Sequence, residues 1–265
     1  SVRHRSIIHL LTRELFGRSL SLRDVPVLKQ IKGLGMTDWL GYGAVLSDRF
    51  SYINTFFDRE PRFDITAPSP EHTAQYDFLI SSEVFEHVHP PVEVAFENAV
   101  RVLKPNGFLI LTVPYEAGEV STVEHFPELD DCRIIEFDGE FVLVNRRKDG
   151  SIETSQDLIF HNGPGNTLEM RVFAEIDLLR KLTGAGFREA VVLKESYQEF
   201  GVLWHHPWSR PIIARKERFG FSGELVWKLA QELCTLRQQS AMASRSRWLA
   251  LGRALRVGPN FGNEK

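Results

Sequence analysis

The stretch from residue 76 to residue 115 constrains the fold of this 265-residue chain more than any other part of it. It begins with a short apolar run closed by two serines and a glutamate, which is typical of a strand buried on both faces. Pro90-Pro91 then opens a helix, and the apolar residues of 92–103 recur at helical spacing on one face. Residues 104–107 (Lys-Pro-Asn-Gly) end that helix, and 108–113 is a second apolar run. A strand–helix–strand unit of this length is a parallel, right-handed crossover, so the sequence predicts an α/β fold.

The sequence of this stretch also resembles a known protein family. Residues 77–88 (DFLISSEVFEHV) and the string RVLKPNGFLILTVP resemble the fourth and fifth strands of class I S-adenosylmethionine (SAM) dependent methyltransferases. The resemblance covers roughly residues 31–216. It implies a Rossmann-like sheet with helices on both faces, a β-rich insert after strand five and SAM as cofactor. It also implies that the loop after the fourth strand passes the adenosine and methionine parts of SAM.

Composition sets further limits. Of the residues, 43% are hydrophobic, which is enough for one sizeable core. The 32 Lys and Arg against 35 Asp and Glu leave a net charge of -3, so no basic field favours nucleic acid. Cys132 and Cys234 are far apart in sequence, and we expect them to stay reduced. No apolar run reaches the roughly 18 residues of a membrane span and no signal-peptide pattern is present, so a soluble, cytoplasmic protein is expected.

The first half of a SAM site is predicted around a glycine-containing stretch at residues 30–38. It follows a predicted strand at 25–31 and precedes a predicted helix at 39–47, and its two glycines would let the backbone approach a ligand. A second strand is expected at 50–56. With the resemblance, the predicted cofactor-binding residues are Gly33, Leu34, Gly35, Met36, Asp38, Asn54, Thr55, Asp64, Ile65, Ser82, Glu83, Val84 and His87.

Two features depart from the common family pattern. The glycine turn is sparse, and the second strand ends near Asn54 rather than in an acid that would bind the ribose hydroxyls. Asp58 or Glu60 is an alternative source of that carboxylate, while Asp64 is either an adenine-site acid or a turn cap. The departures resemble a methyltransferase type 11-like branch with GLGMSD-like and NTF-like strings, whose members are associated with bacterial surface-polysaccharide biosynthesis.

A polar insert at about residues 116–166 is the expected acceptor site. A β-hairpin is predicted within it, with strands at 140–145 and 157–160 and a turn at 149–150. A tight Gly-Pro-Gly loop follows, which would hold the flanking His161 and Glu169 in fixed positions.

Removal of a proton from a hydroxyl acceptor suits a histidine near neutral pH. We predict His125 and His161 as the catalytic candidates, with Glu83 and Glu86 as carboxylate partners; His87 would shape the pocket. The alternatives are a solvent-facing lid residue for His125 and a backbone-bonded loop histidine for His161.

Other chemistries lack their motifs. His125, His161, His205 and His206 show no tight ligand spacing, so no metal is expected. There is no G-x-S-x-G elbow and no G-x-x-x-x-G-K-[ST] phosphate loop, which disfavours hydrolases and NTPases. The glycines are followed by Asp38 instead of the third glycine of a dinucleotide-binding fingerprint, which disfavours a dehydrogenase.

The chain is therefore divided into an N-terminal helical segment (1–30), a methyltransferase domain (31–216) and a helical tail (217–265). The predicted function is a SAM-dependent methyltransferase, an enzyme that O-methylates a sugar or sugar-containing acceptor. The alternative is an inactive methyltransferase-like module that docks a glycosyltransferase. Expected partners are a small-molecule or glycan acceptor, no nucleic acid, and a glycosyltransferase or a second copy bound through the C-terminal helix.

Overall fold

The computed structural model describes residues 1–161, 163, 165–205 and 210–244, and it separates into two compact units, 1–219 and 220–265. The helices of the first unit are α1 (Val2–Phe16), α2 (Leu40–Arg49), α3 (Glu93–Val102) and α4 (Glu175–Ala185). The second unit contains α5 (Gly223–Ser244).

The strands of the described residues all lie in the first unit. In chain order they are β1 (Leu28–Met36), β2 (Phe50–Thr55), β3 (Tyr76–Ser82), β4 (Leu103–Thr112), β5 (Tyr115–Glu116), β6 (Val123–Glu124), β7 (Asp131–Phe137), β8 (Glu140–Arg146), β9 (Ile152–Ser155), β10 (Phe160–His161), β11 (Thr167–Leu168), β12 (Arg171–Ala174), β13 (Glu189–Val192) and β14 (Ile212–Arg215).

A six-stranded mixed sheet forms the centre of the first unit, in the order β13-β14-β4-β3-β1-β2. The four strands β2, β1, β3 and β4 are parallel, whereas β14 runs antiparallel to both β4 and β13. The crossover predicted from residues 76–115 is confirmed as β3–α3–β4. The Rossmann-like α/β fold class is likewise confirmed.

Both faces of this sheet are buried, as the continuous apolar strands require. On one face Leu79 and Leu109 pack into the cluster that holds the apolar side chains of α3 and α4. The alternate positions are buried as well: Phe78 stacks with Tyr52 and with Phe108 at centroid distances of 5.9 and 6.1 Å. The alternation of side chains along a strand sends these two sets to opposite faces.

The first strand differs from its prediction. β1 continues through both glycines to Met36, so the stretch expected to be a turn is strand. A side chain at Gly33 would overlap the Phe78 ring, and one at Gly35 would overlap the Tyr52 hydroxyl. The glycines thus admit large neighbours against the strand, a role that glycine often has in sheets. The turn comes one residue after the strand, at Thr37.

The end of the helix, predicted at 104–107, also differs in the structure. α3 ends at Val102, and β4 begins at the next residue, so these four residues belong to the strand. The pairing of β3 with β4 shifts register between Tyr76 and Phe78, which accommodates the Pro-Asn-Gly sequence as an irregularity.

The insert is built from small sheets. β7, β8 and β9 form an antiparallel three-stranded sheet, and β12 pairs with β5 and β6. The predicted turn lies between β8 and β9, where Gly150 has φ +87°, but the second hairpin strand is 152–155 rather than 157–160. β7 was not predicted, because most of its residues are exposed and it lacks an apolar–polar alternation.

α1 lies within the N-terminal segment that is predicted to be helical, and α4 ends at Gly186, which adopts the left-handed conformation. Both cysteines are free. Within the described residues, no helix combines the length and apolarity needed to cross a bilayer. The division at residues 30 and 216 stays a prediction, and 245–265 of the predicted tail lie outside the described residues.

Candidate functional site

The carboxyl ends of the four parallel strands lie together at one edge of the main sheet. Met36 of β1 is paired with Thr55 of β2 and with Ser81 of β3, and Ser82 is paired with Thr112 of β4. Ligands of open α/β sheets bind at this edge, because the loops that leave the strands converge there.

Asp38 and Asn54 fix the turn that follows β1. Asp38 is 3% exposed, and its carboxylate accepts hydrogen bonds from the hydroxyls of Tyr42 and Tyr52. The Asn54 side chain accepts from the Asp38 backbone N–H at 2.8 Å and donates to the Asp38 carbonyl at 2.8 Å. Burial raises the pKa of Asp38 to about 7, although the tyrosine hydrogen bonds act in the opposite direction. Both side chains therefore order the chain's own loop.

Glu83 follows the end of β3 in a conformation that non-glycine residues seldom adopt. Its φ is +57°, and Thr37, directly after β1, has φ +58°. The Arg3 Nη1 of α1 lies 2.8 Å from Glu83 Oε2, whereas Glu83 Oε1 is buried and has no hydrogen-bond partner in the residues that the structure describes. His4, which follows Arg3 in α1, stacks its ring on Trp39 at a centroid distance of 5.0 Å. Strained residues of this kind cluster at functional sites.

The turn at residues 85–87 joins the strand ends to the insert. The Glu86 carbonyl accepts a hydrogen bond from the Met170 N–H at 2.8 Å, and the His87 Nδ1–H donates to the Leu168 carbonyl at 2.8 Å. The Glu86 side chain is fully buried, and neither of its carboxylate oxygens has a hydrogen-bond partner among the described residues. Burial, and next the neighbouring Glu83, raise the pKa of Glu86 well above its usual range. Burial also lowers the pKa of His87.

Glu169 connects the two histidines that the sequence singled out. Its Oε1 lies 3.1 Å from His125 Nε2 and its Oε2 lies 2.9 Å from His161 Nε2. The other ring nitrogen of His161 is 3.1 Å from His87 Nε2. Four side chains from two separate parts of the chain thus form one network, which we call the histidine cluster: His87, His125, His161 and Glu169.

Arg171 joins the loop after β3 to the insert. It is fully buried, its Nη1 donates to the Phe85 carbonyl at 2.8 Å, and its Nε donates to Glu124 Oε1 at 2.7 Å. It therefore ties the loop after β3 to β6 and β12 of the insert. Sequence reasoning missed Arg171, since a single arginine within an apolar strand pattern gives no signal of its burial.

The predicted site residues fall into three groups. The structure brings His87, His125 and His161 together. It places Gly35, Met36, Asp38, Asn54, Thr55, Ser82, Glu83 and Val84 at or next to the shared strand edge, while Gly33 and Leu34 lie further back within β1. Asp64 lies outside both groups: its Oδ1 accepts from the Thr66 N–H and hydroxyl at 2.8 and 2.7 Å, as a turn cap does, and Ile65 is buried. His206 lies outside the described residues.

The comparisons with known proteins agree with the resemblance read from the sequence. Residues 60–111 match a family model described as a methyltransferase domain, which is a minority of the chain and includes β3, α3 and most of β4. The match confirms the resemblance to methyltransferases in general, while the surface-polysaccharide branch stays a prediction. No curated protein matches the sequence significantly.

Solved structures with a similar fold include several methyltransferases. The citrinin polyketide synthase CMeT domain is 14% identical with a TM-score of 0.44; the match covers 75% of this chain and 50% of that one, so the chain spans about half its length. A Burkholderia thailandensis 1,6-didemethyltoxoflavin-N1-methyltransferase, solved with S-adenosylhomocysteine, is 15% identical (TM-score 0.42; 82% and 78% covered). A Mesorhizobium loti SAM-dependent methyltransferase is 13% identical (TM-score 0.42; 73% and 95% covered). At this level of similarity they do not indicate what this chain binds.

Proposed function

We propose that this chain is a SAM-dependent methyltransferase whose acceptor site is the histidine cluster. The observation that carries the proposal is the position of that cluster. It is hydrogen-bonded to the loop directly after β3, which is the loop predicted to bind the cofactor. A proton-accepting network beside a cofactor loop is the arrangement that transfer of a group to a hydroxyl requires.

The residues after β3 suit the cofactor. SAM supplies an electrophilic methyl group on a sulfonium ion, and it carries an ammonium group and two ribose hydroxyls that need acceptors. Glu83 Oε1 is such an acceptor, since it is buried and makes no hydrogen bond to a described residue, and Arg3 holds the other oxygen of the same carboxylate at 2.8 Å. We therefore assign cofactor contacts to Glu83 and to the backbone of Thr37 and Ser82. Asp38 and Asn54 would act indirectly, by fixing the turn at Thr37.

His125 is the better candidate for the base. Because Glu169 accepts a hydrogen bond from His125 Nε2–H, the lone pair of the neutral ring lies on Nδ1, which has no hydrogen bond to a described residue. A carboxylate that holds a histidine in one tautomer, with the other nitrogen free, is the arrangement used for proton abstraction. Both ring nitrogens of His161 are engaged, with His87 and Glu169, which favours a positioning role for His161.

For the acceptor we propose a sugar or sugar-containing hydroxyl compound. This class is supported by the resemblance to the branch associated with surface polysaccharides and by a base suited to a hydroxyl. The proposed contact between the C-terminal helix and a glycosyltransferase or a second copy is a separate proposal. Along the described part of that helix Leu233 and Leu236 are 49% and 61% exposed.

One observation favours the alternative, a module without catalysis. The space beside Gly35, which a cofactor would be expected to use, is filled by the Tyr52 and Asp38 side chains, and Asn54 is bonded to the Asp38 backbone. A measurement of cofactor binding distinguishes the methyltransferase from the module without catalysis.

A thermal-shift titration tests the proposal. SAM at 100 times its dissociation constant should stabilise the chain by about 2.7 kcal/mol. Glu83→Gln should reduce the shift, whereas Glu71→Gln, at an exposed glutamate elsewhere, should leave it unchanged. If neither SAM nor S-adenosylhomocysteine shifts the transition, the enzyme is excluded and the binding module remains. With SAM bound, His125→Ala should slow formation of S-adenosylhomocysteine by about 100-fold or more at unchanged SAM affinity.

A further inference from the structure

Three electron-pair donors converge where the loop after β3 meets the insert. They are the carboxylate of Glu86, Nε2 of His87 and a ring nitrogen of His161, and their ligand atoms all lie within 4.8 Å of one another. The two nitrogens are 3.1 Å apart, and Glu86 Oε1 is 3.7 Å from His87 Nε2. These three residues are called the Glu86 triad below.

The hydrogen bonds of His87 determine its tautomer. Its Nδ1 can only donate to the Leu168 carbonyl, so the lone pair of the neutral ring is on Nε2 and points towards His161 Nδ1. If the proton of a neutral His161 ring is on Nδ1, Nδ1 can donate to His87. The unprotonated Nε2 then faces the Glu169 carboxylate, which has no proton to donate. If His161 instead donates from Nε2 to Glu169, its Nδ1 lone pair faces that of His87. In this second arrangement, one cation between the two rings would accept both lone pairs, and every nitrogen of the two rings would then have a partner.

The burial of the Glu86 carboxylate is independent support for a cation-binding site. The side chain is fully buried, and neither carboxylate oxygen has a hydrogen-bond partner within the part of the chain that the structure describes. A buried carboxylate without a donor is costly unless it is paired, protonated or bound to a metal. The nearest polar atom of the triad is the lone-pair nitrogen of His87, which cannot donate a proton to it.

Two of the three spacings suit coordination of one ion. Two ligands about 2.05 Å from a common ion and 3.1 Å apart subtend about 100°, and a separation of 3.7 Å corresponds to about 130°, on either side of the tetrahedral angle. The ligand atoms of Glu86 and His161 lie within 4.8 Å of each other, and on binding they would close to at most about 4.1 Å, twice the ligand distance. The ring nitrogens of His87 and His161 that face away from the proposed ion make the contacts that are usual for metal-binding histidines. His87 donates its other N–H to a backbone carbonyl, and His161 faces the Glu169 carboxylate with its other nitrogen.

We propose that Glu86, His87 and His161 bind one divalent first-row transition-metal ion, with Zn²⁺ as the probe of choice. Two imidazoles and one carboxylate, without a thiolate, suit zinc and its neighbours, and hard oxygen-seeking ions such as Mg²⁺ are disfavoured. Glu169 positions His161 and is not itself a ligand. The His87 and His161 side chains are 14% and 30% exposed, so an ion can reach the triad from solvent.

Three protein ligands leave a coordination position open for an oxygen donor. If the proposed function holds, this position binds the acceptor hydroxyl, whose pKa falls on coordination, and the released proton goes to Nδ1 of His125, the ring nitrogen that does not face Glu169. The metal site itself does not depend on methyl transfer.

Metal binding by the full chain tests the site directly. The purified protein is stripped with a chelator, dialysed, and titrated with Zn²⁺ in competition with a chromophoric chelator. Wild type should bind one equivalent. Glu86→Gln, which preserves side-chain shape, and His161→Gln should each weaken binding by about 100-fold or more, and Glu169→Gln by about 10- to 100-fold. His72→Gln, at a histidine next to Glu71 and outside the triad, should bind as wild type does.

Two results would overturn the site: no stoichiometric Zn²⁺ binding by wild type, or equal affinity in wild type and in folded Glu86→Gln and His161→Gln. Circular dichroism of the metal-free variants checks folding, and the visible spectrum of added Co²⁺ gives a second readout of imidazole ligation. SAM binding is measured on the same samples. If the protein binds SAM but not Zn²⁺, only the metal site is refuted. If it binds Zn²⁺ but not SAM, only the proposed function is refuted.

Discussion

Replacing Asp38 by asparagine should remove a large part of the pH dependence of folding stability. Asp38 is 3% exposed, and burial raises its pKa to about 7 in the folded chain, against about 3.9 for an unfolded aspartate. A shift of about 3 units corresponds to about 4 kcal/mol, since each unit is 1.36 kcal/mol. The carboxyl group is too buried for solvent to screen away most of this cost.

The sign follows from which state holds the proton. Between pH about 4 and about 7, the folded chain keeps the Asp38 proton that the unfolded chain has lost. The free energy of unfolding therefore falls as the pH rises through this range, and above it the full cost of the buried charge is present. Below pH about 4 both states are protonated and the contribution vanishes. The asparagine variant carries no such charge, so it lacks this part of the slope.

Urea unfolding followed by tryptophan fluorescence at intervals from pH 4 to pH 8 measures the effect. At pH 8 the variant should be more stable than wild type by about 3 kcal/mol, because loss of one tyrosine hydrogen bond offsets about 1 kcal/mol of the gain. At pH 4 it should be slightly less stable. Asp48→Asn, at an exposed position of α2, is the control and should parallel wild type. Equal slopes for wild type and Asp38→Asn would refute the reasoning.

Other substitutions test the packing that supports the site. Gly35→Ala should destabilise the chain by about 2 kcal/mol, because the added methyl group would overlap the Tyr52 hydroxyl. Gly184→Ala in α4 should instead stabilise it by up to about 1 kcal/mol, because the added methyl group would have no neighbouring atom within 4 Å outside its own helix. Urea midpoints that move in the same direction for both would contradict this. Arg171→Met should cost about 3 kcal/mol, because Glu124 loses its buried partner and the Phe85 carbonyl its donor. A loss below about 1 kcal/mol would show that Arg171 does not anchor the loop.

The central sheet could be predicted because its signals are local. The apolar runs around Phe78 and Phe108, and the helical stripe between them, determine a crossover whatever surrounds it. The extent of β1 could not be predicted in this way. Gly33 and Gly35 are indistinguishable from turn glycines until the rings of Phe78 and Tyr52, far along the chain, are placed against them.

The sequence points to the histidines of the candidate site but not to the contacts between them. His87, His125 and His161 were identified as histidines near acids, yet nothing in the sequence pairs residue 87 with residue 161. That pairing depends on the backbone bonds of Glu86 to Met170 and on the His87 contact with Leu168. The burial of Glu86 and Arg171 is likewise a tertiary property, since both types of residue usually lie at the surface.

Hydrogen–deuterium exchange with and without S-adenosylhomocysteine tests the central claim most directly, because it reports where the cofactor product binds. We expect slower exchange of backbone amides at two places that are distant in sequence, around residues 36–38 after β1 and around 82–87 after β3. The Glu83→Gln variant should show weaker protection at both places under the same conditions. No protection at saturating ligand, or protection confined to other parts of the chain, would contradict a SAM site at the carboxyl ends of the parallel strands.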